Sequence, residues 1–213
     1  MPKDTFFNLD DEKRQRIIEA AIDEFSENSY EVSSINQIVK NASIAKGSFY
    51  QYFENKDDLY RYVIDICGEK KREYISRVLN RAEYMNFYDK LSEVYRAMMT
   101  FSDDNPKIAS TINHLYRIDD VEFRNEMAES TDANTFNIFR ELVDLGQQEG
   151  KVKKSLNPDF LSSLLYNTAM FLIEYREGQG VLYDIESAVN DIMNIISSGI
   201  KPSPRNKGLM NLL

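Results

Sequence analysis

The chain holds one cysteine and one histidine in 213 residues, and these scarcities narrow the chemistry at once. Cys67 has no second cysteine to pair with, so no intrachain disulfide forms, and a reducing cytoplasm is the expected setting. Neither metal-ligand spacing of the H-E-x-x-H kind nor a glycine-rich phosphate loop occurs, so an enzyme is not expected, nor a metal or cofactor. Glycine and proline number only eight and five. No alternating β-branched run is long enough for a strand, which leaves helices to dominate. Long apolar runs are missing as well: Leu164 to Tyr175 is interrupted by Asn167 and Thr168. The opening MPKDTFFNLDDEKR places acidic residues before any apolar stretch, so neither a membrane span nor a signal peptide is expected.

What is present suits a packed protein. Hydrophobic residues make up 42% and charged residues 29%, far from the composition of a disordered chain. The net charge of −9 argues against a nucleic-acid partner until its distribution is considered. Residues 1–60 carry seven Lys/Arg against twelve Asp/Glu, so even this part is acidic. Yet Val32 to Phe53 contains no acidic residue, only Lys40 and Lys46 among Ser, Asn, Gln and Tyr, with Lys56 just beyond. That window alone is fit to approach phosphate.

About nine helices are read from apolar periodicity. The first spans Leu9 to Glu27, with Ile17, Ala21 and Phe25 recurring on one face and Lys13, Arg14 and Glu24 outward. The second starts at Ser34, whose hydroxyl caps the first turn while Gln37 reaches back in a capping box, and buries Ile35, Ile38 and Val39. After a two-residue break, Ser43 is read as the cap of a third helix ending near Tyr50. Asn55 caps a fourth that runs from Lys56 to about Ala82. Further helices are expected at Phe87–Ser102, Pro106–Tyr116, Val121–Glu149, Pro158–Glu177 and Asp184–Ser198, separated by breaks at Asp104-Asn105-Pro106, Gly150, Asn157-Pro158 and Gly178-Gln179-Gly180. Three domains of behaviour follow: a three-helix head over 1–55, a larger helical body over 56–200, and a flexible tail over 201–213.

Two short helices joined by a tight turn on a longer one have the dimensions of a helix-turn-helix, which lays its second helix in the major groove. Ala45, Lys46, Gly47, Ser48, Gln51 and Tyr52 supply the small and hydrogen-bonding side chains that this task needs. Glycine inside a helix costs about 1 kcal/mol relative to alanine, so Gly47 signals a close approach, either of a sugar-phosphate backbone or of the preceding helix. Phe49 and Phe53 are assigned inward, and the hydroxyls of Tyr50 and Tyr52 toward phosphate. Lys56, beside the free amides of a helix start, is read either as part of an anion site or as a solvated surface lysine.

The run IIEAAIDEFSENSYEVSSINQIVKNASIAKGSFYQYFENKDDL, Ile17 to Leu59, resembles the DNA-binding domain of TetR/AcrR-type transcription regulators. The likeness rests on Ala20, Ala21 and Phe25, on Tyr30, on Ser33 and Ser34, and on G-S-F-Y-x-Y-F-x-N-K-x-x-L from Gly47 to Leu59. It departs from the family's habit in having Ser33 and Ser34 for threonines and Ser29 where glycine usually precedes Tyr30. The resemblance implies that Ser34, Tyr50, Tyr52 and Lys56 hold the DNA backbone, while Asn36, Lys46, Gly47, Ser48 and Gln51 lie at or near base edges. It implies an all-α fold with an N-terminal helix-turn-helix domain and a C-terminal effector-binding and dimerisation domain.

Leu161, Leu164, Leu165 and Leu172, with Ile185, Val189, Ile192 and Ile196, form stripes on the last two helices that are expected to build a four-helix homodimer interface. A dimer would set two reading helices roughly 34 to 36 Å apart on a near-palindromic operator. Tyr95, Met98, Met99, Tyr116, Tyr166 and Met170 are candidates to line a site for an unidentified small-molecule effector, whereas the lone His114 fits a packing role as readily as a ligand contact. The function expected is that of a repressor released from operator by its effector. The alternative is a protein-binding or DNA-occluding factor of the same fold that senses no metabolite.

Overall fold

The computed structural model describes residues 1–179 and 184–200, without the side chains of 129–134 and 177–179. Every regular element among the described residues is a helix: α1 (Asp4–Phe7), α2 (Asp11–Glu27), α3 (Ile35–Asn41), α4 (Lys46–Tyr52), α5 (Lys56–Arg81), α6 (Phe87–Asp104), α7 (Pro106–Tyr116), α8 (Val121–Gln148), α9 (Pro158–Gln179) and α10 (Ile185–Ile200). The expected bounds are met within about two residues except at the start, where α1 was not read, and at the helix-turn-helix. The tail expected over 201–213 lies outside the described residues, as does Gly180 of the last expected break. The chain gathers into two compact units, Met1–Ser76 with Thr100–Thr135 and Arg77–Met99 with Phe136 onward. The head expected over 1–55 lies within the first unit, which also takes α7 and parts of α5, α6 and α8.

In the first unit Asp10 caps α2, its carboxylate accepting from the Lys13 amide at 2.8 Å, and Asp11 and Glu12 stand in the positively polarised first turn. Ile17, Ala21 and Phe25 are buried as read. Glu24 is not outward. It is buried, and its carboxylate accepts from the Ser34 amide at 2.8 Å. That bond replaces the expected capping box: the Ser34 side chain makes no cap bond, and Gln37 donates instead to Asn41 at 2.9 Å.

Ser43 likewise does not start α4. It adopts φ 54°, a left-handed conformation that closes α3, with the Ile44 amide donating to Val39 O at 3.0 Å and the Ser43 amide to Lys40 O at 3.1 Å. The turn therefore takes four residues, and α4 begins at Lys46 with Ala45 as its cap residue. Asn55 does cap α5, accepting from the Asp58 amide at 2.9 Å.

The C-terminal turn of α2 leaves carbonyls that no later residue of the helix satisfies, and α7 supplies donors for them. Ser110 Oγ donates to Ser26 O at 2.7 Å. His114 Nδ1 lies 2.9 Å from Phe25 O, so that nitrogen must carry the proton. Lys107 pairs with Asp23 at 2.7 Å. His114 is thereby a packing residue that fastens α7 to α2.

The second unit has its own core, built from Phe87, Leu91, Val94, Tyr95, Phe139, Val143, Leu165 and Val189. Tyr95 donates its hydroxyl to Leu165 O at 3.1 Å, which satisfies the polar end of a buried ring. Arg96 forks onto Glu186 at 2.6 and 2.9 Å, tying α6 to α10. Gly146 is packed so tightly that an added Cβ would lie 2.6 Å from the Phe87 ring and 2.7 Å from Val152. Gly150 ends α8 at φ 68°, as the break read there requires.

Much of the stripes expected to face a partner subunit is packed within the subunit itself. Leu161, Leu165, Leu172, Val189 and Ile196 are buried, Ile185 and Ile192 are half-buried, and Leu164 alone of that set is exposed. The outward apolar face of α9 is Phe160, Leu164, Phe171 and Tyr175, and Ile195 projects from α10; Phe160 and Ile195 are each 69% exposed. Both faces of α9 are apolar, so periodicity finds two stripes, and only packing decides which one the subunit keeps for itself.

Candidate nucleic-acid interface

The surface offered by α3 and α4 follows from which of their side chains the core consumes. Ile38 and Val39 of α3 and Phe49 and Tyr52 of α4 are buried, and Phe53 after them is fully so. Left outward are Asn36, Gln37, Lys40 and Asn41 of α3 and Lys46, Gly47, Tyr50 and Gln51 of α4, while Ser34 and Ser48 are half-buried. Eight of the nine residues expected at DNA therefore retain some exposure, and the polar face they share carries no carboxylate between Val32 and Phe53.

Tyr52 is the exception. Its ring is 6% exposed, tilted against Phe6 with centroids 6.2 Å apart, and Lys13 Nζ lies 5.7 Å from its centroid. Tyr50, by contrast, is 46% exposed and stands edge-on to Phe49 at 5.2 Å. The expectation that both tyrosines face outward is corrected to one, because Phe6 of α1 covers the other.

Lys56 also departs from its expected role. Its ammonium donates to Tyr30 O at 2.6 Å and Ser33 O at 3.2 Å, and sits 4.3 Å from the Tyr30 ring centroid. Burial lowers its pKa from the ordinary lysine value, and the carboxylates of Asp57, Glu31 and Glu24 oppose the shift. The charge is engaged in holding the loop that enters α3. Tyr30 completes the arrangement: its hydroxyl bonds to the Asp57 carboxylate, and its ring lies 4.8 Å from those of Tyr60 and Phe123. Burial foremost, then the bond to Asp57, raises the Tyr30 pKa, so the phenol keeps its proton at neutral pH. Lys56 and Tyr30 thus set the angle at which α3 leaves the loop.

Gly47 resolves in one direction. A Cβ built there meets nothing within 4 Å, so close packing on α3 does not account for the glycine. Space is kept on the side away from the protein.

The family model "Bacterial regulatory proteins, tetR family" matches residues 17–63, from within α2 to the first turns of α5. This segment carries the TetR-family signature. Similarity to TetR-type proteins extends beyond that segment. The fatty acid metabolism regulator protein of Bacillus subtilis is 25% identical over 189 residues, 88% of this chain and 95% of its own length. The transcriptional repressor DhaR of a Mycobacterium species is 24% identical over 197 residues, 91% of this chain and 94% of its own. Among solved structures, a TetR-family regulator from Chloroflexus aurantiacus superposes with a TM-score of 0.68 at 28% identity, covering 95% of this chain and all of that one. FadR from Bacillus subtilis, crystallised with stearoyl-CoA, gives 0.74 at 25% identity over 87% of this chain and 98% of its own.

The remaining expected sites divide between the units. Tyr95, Met98 and Met99 are each 1% exposed, Tyr166 is buried and Met170 half-buried, and all five belong to the second unit. Tyr116, the last residue of α7, belongs to the first unit. A groove of about 430 Å³ between α2 and α7 is lined by Glu19, Ile22, Asp23, Pro106 and Lys107, and by none of the expected effector residues. No helix among the described residues is long and apolar enough to cross a membrane, and none of their His, Cys, Asp and Glu side chains cluster in threes to hold a metal.

Sequence reasoning missed Glu24 and all of α1. Glu24 lies ten residues before the amide it caps, and no local pattern joins the two. The pair Phe6-Phe7 ahead of the Asp10 cap was the available signal for α1, and Phe6 alone of the two is buried.

Proposed function

We propose that this protein is a homodimeric TetR-family repressor that reads a near-palindromic operator with the outward face of α3 and α4 and leaves it when a small molecule binds. The observation that carries the reading is Gly47: a helix position kept open by glycine, with no intramolecular neighbour for a side chain, on a face without carboxylates. Asn36, Lys46, Ser48 and Gln51 then serve at or near base edges, and Ser34 and Tyr50 serve the backbone. Lys40 and Lys46 supply the charge of the face, and Lys56 acts by ordering the loop behind it. A carboxylate-free face on an acidic protein favours orientation as well as affinity, since the rest of the surface is repelled by the polyanion.

For the dimer, we assign to the interface Leu164 of the expected set together with Phe160, Phe171 and Tyr175 of α9 and Ile195 of α10, in place of the expected residues that are buried within the subunit. An apolar face of that size on a soluble protein calls for a partner. For the effector, the likeness to a fatty acid metabolism regulator and to a FadR structure holding stearoyl-CoA supports a long-chain acyl thioester received among the methionines and tyrosines of the second unit. Methionine suits such a chain because it repacks readily.

The test is fluorescence anisotropy on the DNA upstream of the protein's own gene, titrated at several salt concentrations and repeated with stearoyl-CoA. Expected are sequence-selective binding whose affinity falls steeply with salt, and a ligand that raises the melting temperature while releasing the DNA. Absence of any preference for operator over shuffled DNA at low salt would sink the repressor reading. Selective binding indifferent to acyl-CoA would sink only the choice of effector.

A further inference from the structure

Resting on the reading of α4 as the helix that enters the groove, we propose that residues Lys3 to Phe6 form a strap that fixes the C-terminal end of that helix, with Phe6 the positioning residue. α4 spans seven residues, far too short to hold its shape by itself, contains Gly47, and has no side-chain bond at its N-cap. Its last carbonyls need donors from elsewhere. The strap provides three. The Lys3 amide donates to Tyr52 O at 2.8 Å, Lys3 Nζ to Tyr50 O at 2.9 Å, and Thr5 Oγ1 to Gln51 O. A cation at a helix C-terminus is also favoured by the dipole.

Phe6 anchors the strap. It is fully buried, with ring centroids 4.9 Å from Phe53, 5.3 Å from Tyr62 on α5 and 6.2 Å from Tyr52. One side chain therefore joins the end of α4 to the flank of α5, and the pitch of the reading helix is fixed by residues some 45 positions earlier in the chain. Three successive carbonyls claimed by a four-residue stretch leave α4 little freedom to fray or tilt. The strap itself touches no base. It acts by holding Tyr50 and Gln51 in place, so its loss should damage recognition of sequence more than attraction to phosphate.

The experiment uses full-length Phe6→Ala, Phe6→Leu and Lys3→Gln proteins, with hydrogen exchange of the α4 amides read against those of α2 and α3, and anisotropy on operator and on shuffled DNA. In Phe6→Ala, the amides of Phe49 to Phe53 are expected to lose protection while α2 and α3 keep theirs. Operator affinity should fall roughly tenfold, with binding to shuffled DNA at low salt unchanged within about twofold. Phe6→Leu should restore most of both, and Lys3→Gln should show the same pattern in weaker form. Protection lost equally across α2, α3 and α4, or operator affinity equal to that of the original protein, overturns the strap. Exchange needs no DNA, so a failure of the operator reading would show as absent selectivity in the unaltered protein while the α4 protection test still decides the strap.

Discussion

Two glycines on helices, one in each unit, carry opposite meanings. At Gly146 an added methyl would press on the Phe87 ring at 2.6 Å and on Val152 at 2.7 Å; at Gly47 it would meet nothing within 4 Å. In the second unit the missing side chain is explained by what surrounds it inside the molecule. In the first, nothing inside the protein fills the space, which leaves room for something that comes from outside. The same contrast runs through the two units as a whole. The second spends its apolar residues on its own core and leaves a surplus on α9, whereas the first spends its aromatics on holding two short helices at a fixed pitch and leaves a polar face bare.

The sharpest way to break this comparison is on α9, where neighbouring leucines are assigned opposite duties. Leu165→Ala should lower unfolding stability by about 3 kcal/mol, as burial without slack implies, and leave the mass in sedimentation that of a dimer. Leu164→Glu, at a site 51% exposed, should leave the fold of the subunit intact and shift the sedimenting species to monomer. If Leu165→Ala instead dissociated the protein without loss of stability, the inward and outward faces of α9 would have to be exchanged.

Gly146→Ala comes next. The close approach to Phe87 forces either that ring or Val152 to move, a displacement that overpacked cores resist by about 1 to 3 kcal/mol. Denaturant unfolding should register the loss, while operator binding at a temperature where the protein is folded stays unchanged. An unaltered midpoint would mean that the core around Phe87 has room that its packing does not suggest.

How much of this was legible beforehand depended on whether the cause was local. Asn55 was read as a cap because the amide it binds is three residues away, and Phe49 and Phe53 were read inward because four residues bring them to one face. Pro106 and Gly150 marked helix ends through their own backbone preferences. Glu24 was misplaced because a carboxylate is outward by default and its partner is fixed only when α3 is docked. Tyr52 was misplaced because a tyrosine offers both a ring and a hydroxyl, and its covering residue, Phe6, comes from the far end of the chain's first segment. The stripe on α9 was ambiguous for a related reason: two apolar faces on one helix are equivalent in sequence and differ only in what packs on them. Lys56 shows the subtler limit, since no local pattern announces that its half-exposed ammonium bonds to Tyr30 O and Ser33 O.

The turn between α3 and α4 offers a smaller effect of opposite sign. Ser43 holds φ at 54°, a conformation that a side chain resists and glycine accepts, so Ser43→Gly should raise stability by roughly 0.5 to 1 kcal/mol. Thermal unfolding of the first unit checks it. Operator affinity should hold, because the turn keeps its path. A fall in stability would show that the Ser43 side chain contributes more to the turn than the left-handed backbone costs.

Gly47→Ala should shift stability least and shows the division between the units most directly. Alanine favours helix over glycine by up to about 1 kcal/mol, less in the first turn where Gly47 lies, and the open space around that position adds no clash to subtract. The melting temperature should therefore stay level or rise slightly. Affinity for operator should nonetheless drop by about tenfold, because a methyl group now stands where a nucleic-acid backbone or base edge must come close. Gly146→Ala predicts the reverse pair of outcomes, stability lost and binding kept. Measured side by side in one protein, the two substitutions separate a glycine retained for packing from a glycine retained for approach; an operator affinity untouched by Gly47→Ala would remove the observation on which the DNA-facing assignment of α4 stands.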